Sequence, residues 1–233
     1  MVNTLSARAT FYDIIGYFIP GMLACGVVWG WLNVLGGESV IDFVSELVKG
    51  HLFAASVVGV ALSYVAGHCA NSCSSWLLEK HIYQERFAHA SDWQKRLHEK
   101  SPEREVVVKS VVDAEFGVDI TKLKPFDLLI RMEEFLPQAT MSGFSFLCFY
   151  GMCRTLALLT WLASIPVGVL MGMTWGGECY TNIAAGVITS VLMCVIGVLF
   201  VNQYLRFVCY YYDFLGSTLM FPIGKMKVSV VTK

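Results

Sequence analysis

The sequence predicts an all-α, polytopic membrane protein with four transmembrane helices and a helical cytoplasmic block between spans 2 and 3. Three observations lead there. The 233 residues are 56% hydrophobic and 15% charged, whereas an ordinary soluble domain is about 45–50% apolar and about 25% charged. The charge is unevenly spread, since residues 79–134 hold 22 of the 35 charged side chains. The flanks contain four runs free of Asp, Glu, Lys and Arg: 14–37, 51–78, 155–177 and 179–205. Each reaches the roughly 20 residues that a helix needs to cross a bilayer. A soluble core of this size could cover one such helix but not four. The apolar richness also excludes a disordered chain, and a net charge of −1 gives no footprint for duplex nucleic acid.

The runs order the chain. Residues 1–78 form an N-terminal cap and spans 1 and 2, 79–140 the cytoplasmic helical domain, 141–209 spans 3 and 4, and 210–233 a cytoplasmic tail. With alternating spans, 16 of the 17 basic residues fall on one side and only Lys49 on the other. The positive-inside rule makes the crowded side cytoplasmic, with both termini there, in an inner or plasma membrane. Met22-Leu23-Ala24-Cys25-Gly26 has the outline of a lipoprotein cleavage site. The run continues past Cys25 to Gly37, however, so the first span is expected to be retained.

Between spans 2 and 3, residues 75–100 read as a helix leaving the second span, with Ile82, Tyr83, Phe87, Ala90, Trp93 and Leu97 on one face. Ser101-Pro102-Glu103 restarts a helix carrying Val107, Val108, Val111, Val112 and Phe116, which Gly117 ends. Pro125 opens a third, with Leu128, Leu129, Met132 and Leu136, and Pro137 closes it. Residues 141–173 then run as one helix into span 3. Arg154 and Arg206 stand at the cytoplasmic mouth of spans 3 and 4. Arg154 is expected to snorkel to phosphate or water; the alternative has it lining a wet mouth.

Familiar catalytic patterns are missing. The sequence has no HExxH, no G-x4-GK[ST] and no GxGxxG. The span runs hold no carboxylate, which coupled transporters usually need. The eight cysteines lie in or beside the spans, where thiols act as small apolar fillers. His68, Cys69 and Cys73 have ligand-like spacing, but a tetrahedral zinc site needs partners from elsewhere. No catalytic residue, metal or cofactor is therefore expected; a membrane enzyme built on those three residues is the least favoured alternative.

Small and weakly polar residues instead recur every fourth position. Span 2 has Ala55, Gly59, Ser63, Gly67, Asn71 and Ser75; span 3 has Thr160, Ser164, Gly168 and Gly172; span 4 has Asn182, Gly186, Ser190 and Cys194. Such faces let helices approach closely. They are expected to serve packing within one bundle, contacts between copies, or a pore axis. An apolar constriction there could gate by dewetting.

The most distinctive stretch is Thr10-Phe11-Tyr12-Asp13-Ile14-Ile15-Gly16-Tyr17-Phe18-Ile19-Pro20-Gly21. Physically it is a Thr10 cap, an acid in the first turn, and a Pro20-Gly21 kink inside the span. It also resembles the Tyr-Asp-x3-Tyr-x2-Pro-Gly opening of small multi-pass membrane proteins from bacterial anti-phage operons, including effectors of nucleotide-signalling and CRISPR-linked systems. The shared positions are Tyr12, Asp13, Tyr17, Pro20 and Gly21. The resemblance implies an oligomeric channel or membrane-disrupting effector that arrests an infected cell. It would be a tetramer or larger, sensing a nucleotide second messenger or a co-encoded signalling protein through residues 79–140. The other expectation is a membrane anchor that restrains a soluble partner.

Overall fold

The computed structural model describes residues 13–36, 38–92, 137–174 and 179–218, with isolated positions between 95 and 110. Every described element is a helix. Four are long and apolar enough to cross a membrane: Ile14–Val34, Leu52–Ile82, Ser142–Met173 and Asn182–Leu215. In chain order the helices are α1 (Ile14–Val34), α2 (Glu38–Gly50), α3 (Leu52–Ile82), α4 (Gln84–Ser91), α5 (Pro137–Thr174) and α6 (Cys179–Thr218). Contacts group into two compact units, Met1–Tyr83 with Cys148–Tyr204, and Gln84–Leu147 with Leu205–Lys233.

In the first unit α1 lies closely against α3. α1 begins in π winding over Ile14–Phe18, where the Ile19 amide bonds to the Ile14 carbonyl five residues back. The wide turn precedes Pro20, whose ring and missing N–H would disturb a tight α-turn. Pro20 and Gly21 are both buried. A Cβ on Gly21 would collide with the Ser63 carbonyl, and one on Gly67 with the Tyr17 carbonyl. Gly21 is thus required for close approach to α3, rather than for the bend that the sequence suggests. At the far end Gly36 takes φ 75° and closes α1, a left-handed conformation that glycine adopts without strain.

α2 occupies what reads as an outer loop. Val40, Ile41, Val44 and Val48 alternate with Glu38, Asp42, Glu46 and Lys49 at helical spacing, which makes it amphipathic.

α5 and α6 form the second close pair. A Cβ on Gly168 would collide with Ser190 Oγ, and one on Gly186 would sit 2.6 Å from the Gly168 carbonyl oxygen. Ser190 Oγ donates to the Ser164 carbonyl at 2.8 Å, and Trp161 Nε1 donates to the Cys194 carbonyl at 3.3 Å. Pro166 lies inside α5. It has no N–H for the carbonyl one turn earlier, that of Leu162. Trp31 of α1 supplies the missing donor, with Nε1 at 3.0 Å from that oxygen. Gly30 faces Pro166, where an added Cβ would make an ordinary contact at 3.6 Å from Pro166 Cβ.

The cytoplasmic expectations are partly corrected. The helix leaving span 2 is interrupted at Tyr83, with φ −120° and ψ 26°, and α4 follows it. Asp92 Oδ1 then accepts the Lys95 amide at 3.0 Å, a cap that starts a new turn. Pro137 is the first residue of α5, a position where its missing N–H is harmless; the helix expected to end there lies outside the described residues. Residues 111–136, Trp93, Leu97, Ser101, Val107 and Val108 lie outside the described residues, as do Thr10 and Tyr12. In the second unit Lys109 and His98 both contact Glu105, at 2.6 Å each. Their hydrogen bonds, that of Lys109 first, hold its carboxyl below the usual value. This contact therefore persists at neutral pH and is lost as pH falls through the lowered value. Phe146 packs against Tyr210 and Phe214, with centroids 6.2 and 6.0 Å apart.

Replacing Gly67 by Leu should separate α1 from α3 and destabilise the protein by about 1–3 kcal/mol or more. Gly59→Leu, at a position with open space around it, should leave thermal unfolding in detergent near wild type. Trp31→Phe should cost about 1 kcal/mol by leaving the Leu162 carbonyl without its donor. In the Pro166→Ala background the backbone amide restored at that position should remove most of that loss, as read by a double-mutant cycle.

Candidate functional site

The last quarter of α3 changes its winding. After Ser74 the chain runs as a π-helix over Ser75–Ile82, and the Tyr83 amide reaches the Leu78 carbonyl at 2.8 Å. A wider turn rotates less per residue than an α-turn. Glu79 therefore stays above Asn71 and Ser74 instead of turning past them. All three face α5 at Arg154.

Arg154 is 5% exposed. Its Nη1 donates to Glu79 Oε1 in a direct ion pair. Its Nη2 donates to Asn71 Oδ1 at 2.6 Å and to the Asn71 carbonyl at 3.4 Å. Its Nε donates to Ser74 Oγ at 3.3 Å. The guanidinium carbon lies 5.6 Å from the Tyr150 ring centroid, within cation–π range.

Glu79 is held equally fully. Ser75 Oγ donates to Oε2 at 2.6 Å, one turn along the same helix. The Tyr204 hydroxyl of α6 approaches Oε1 at 3.4 Å. Thr155 is fully buried beside the pair; its Oγ1 lies 3.3 Å from Asn71 Oδ1 and 3.0 Å from the Gly151 carbonyl. Three membrane helices thus converge on one charge pair, with α3 giving the acid, α5 the base and α6 a phenol.

Two expectations are overturned here. Arg154 does not snorkel to water or phosphate, because its charge is compensated inside the protein. Nor does the candidate span end with the uncharged run, because α3 continues to Ile82 and carries Glu79, whose side chain is only 13% exposed. Glu79 was legible as the next step of the every-fourth-residue series 63, 67, 71, 75. Its charge ended the apolar run one residue too early.

The remaining stripe residues have definite places. Ser63 and Gly67 close against α1. Ser164, Gly168, Asn182, Gly186 and Ser190 line the α5–α6 seam. Gly59 has open space around it, and neighbouring Phe53 is 84% exposed. Arg206 is exposed in the second unit.

The opening motif also resolves into contacts. Asp13 lies near the Tyr64 side chain. Tyr17 stacks on His68 with centroids 3.7 Å apart, and Tyr64 meets the same imidazole edge-on at 4.7 Å. Asp13, Tyr17 and Gly21 form one face of α1, and Ser63, Tyr64, Gly67 and His68 the answering face of α3. His68 is committed to this stack, while Cys69 and Cys73 point outward and Cys148 and Cys153 are buried. Among the described residues no group of three or more His, Cys, Asp or Glu side chains is placed to hold a metal ion.

No protein-family model, curated protein or solved structure matches this chain.

Removing one partner of the pair should be far worse than removing both. Arg154→Gln and Glu79→Gln should each destabilise by about 3–5 kcal/mol. The double variant Arg154→Met/Glu79→Leu should recover much of that stability, measured as thermal unfolding in one detergent.

Proposed function

We propose that the chain is a subunit of an oligomeric membrane channel or pore, gated from its cytoplasmic side, with Arg154–Glu79 as the latch between spans. The observation that carries this reading is the buried ion pair itself. Ionisable residues within membrane helices are expensive to place and mark pathways, relays or sensors. A pair that joins three spans could act as a gate if it parted, because parting would release α3, α5 and α6 from one another together.

The packing suggests where conduction would occur. The stripes of α5 and α6, and the Ser63–Gly67 part of α3, are occupied by contacts within one copy. The pathway therefore belongs between copies, beside the exposed outer half of α3 that includes Ser56, Gly59 and Val60. A ring of four or more copies would place such faces around an axis, where an apolar constriction can gate by dewetting. The basic excess on one side of the spans supports a cytoplasmic position for both termini. A role in anti-phage growth arrest rests on the opening motif alone, as does a nucleotide or partner-protein signal read by residues 79–140.

A second reading, a membrane anchor for a soluble partner, is favoured by the tight pairing of α1 with α3 and of α5 with α6. It requires no moving part.

Flux through proteoliposomes separates the two. The wild type should release a trapped small ion upon activation, and Glu79→Gln should shift the open fraction by about tenfold or more, since one lost charged contact exceeds about 1.4 kcal/mol. Vesicles that stay sealed with wild type, Glu79→Gln and Arg154→Gln alike, without toxicity on expression, would exclude the channel.

A further inference from the structure

We propose that α2 lies in the plane of the membrane boundary and seats its apolar face among the acyl chains of phospholipids. With 13 residues it is about 20 Å long, too short to cross a bilayer. Asp42, Glu46 and Lys49 would also make it expensive in the hydrocarbon centre. It cannot stand away from the spans either. Three residues link it to α1 and one links it to α3. Both links break the helical path, Gly36 with φ 75° and His51 with φ −142° and ψ 56°. α2 can therefore take a direction of its own while both its ends stay where α1 ends and α3 begins.

Three sectors follow one another around this helix. Ile41 and Val44 are half-buried, on the edge partly covered within the protein. Val40 and Phe43 come next and are open, Phe43 to 65%. Asp42, Glu46 and Lys49 form the remaining face and are exposed. An open apolar sector beside a charged face needs a medium that is apolar on one side and wet on the other, which the boundary of headgroups and acyl chains supplies. The apolar sector also has a continuation. Leu35 at the end of α1 and Leu52 and Phe53 at the start of α3 are exposed, to 74%, 69% and 84%. They join α2 to the apolar surface of the two spans, so one medium covers the helix and the collar beside it. A protein partner seated on Phe43 would have to cover that collar as well. Charge points to zwitterionic lipid as sufficient. α2 carries three acids and one base, so burial of apolar area holds it, not attraction to anionic headgroups. The inference requires the membrane reading but not conduction, so a sealed channel would leave it intact.

The test is photocrosslinking of the full chain, purified and reconstituted in vesicles of phosphatidylcholine alone. The benzophenone side chain of p-benzoylphenylalanine is placed at one position at a time, and adducts are read by mass spectrometry. Phe43→p-benzoylphenylalanine and Val40→p-benzoylphenylalanine should each gain the mass of one phospholipid. Glu46→p-benzoylphenylalanine, on the charged face, should lose that adduct. Ile188→p-benzoylphenylalanine, at a site 66% exposed on α6, reports lipid beside a span independently of α2. Circular dichroism and elution volume check that each variant is folded. Lipid adducts at Ile188 but none at Phe43 and Val40 would overturn the proposal and leave the membrane reading standing. Lipid adducts as abundant at Glu46 as at Phe43 would overturn it by removing the sidedness. Adducts at Phe43 that join two copies in place of lipid would overturn it by assigning the face to a second copy. Absence of lipid adducts at all four positions would overturn the membrane reading, and the proposal with it.

Discussion

A guanidinium enclosed by membrane helices must have its charge answered and its N–H groups engaged, and the arrangement of α3, α5 and α6 is subordinate to doing this for Arg154. Taking the two ions of a pair out of water costs several kcal/mol each. Only full hydrogen bonding repays it. Asn71, Ser74 and Glu79 must share one face of α3, which an uninterrupted α-helix would not quite provide. The π winding from Ser75 supplies the correction. Tyr204 then fixes α6 against the same carboxylate.

The same rule governs the backbone. Helices in lipid have no water to satisfy a stray carbonyl, so each break in the internal ladder needs a partner. Pro166 makes such a break, and the Trp31 indole fills it from another helix. Elsewhere small residues replace polar ones as the means of association. Gly21 with Ser63, Gly67 with Tyr17, and Gly168 with Gly186 bring backbones so close that no side chain fits between them. Dispersion over such surfaces takes the place of the hydrophobic force that lipid does not provide.

The four spans were legible because length and apolarity are local properties. The stripes were legible as faces, but their partners were not, since a period of four says which residues share a side and nothing of what meets that side. Ser63 thus read as a pore or interface residue, while its actual neighbour, Gly21, read as a hinge. Arg154 was visible as an isolated charge; its partner lay 75 positions away, just past a boundary drawn by charge alone. α2 has Val40, Ile41, Val44 and Val48 at helical spacing, but its charges break it into segments too short to stand out as an uncharged run.

The length of α3 has its own consequence. Its 31 residues extend about 46 Å at about 1.5 Å per residue, well beyond a hydrocarbon layer of about 30 Å. The surplus must tilt or stand among the headgroups. Glu79 sits three residues from the end, in the part whose depth is set by that choice. In a thin bilayer the stretch of helix around the ion pair stands among headgroups and water, while the pair itself stays enclosed by protein. In a thick one it is drawn toward a low dielectric, where the same two charges attract several times more strongly. Acyl-chain length therefore acts on the strength of this contact without touching any residue, and the hydrophobic thickness of the host membrane becomes a variable of the protein's own energetics.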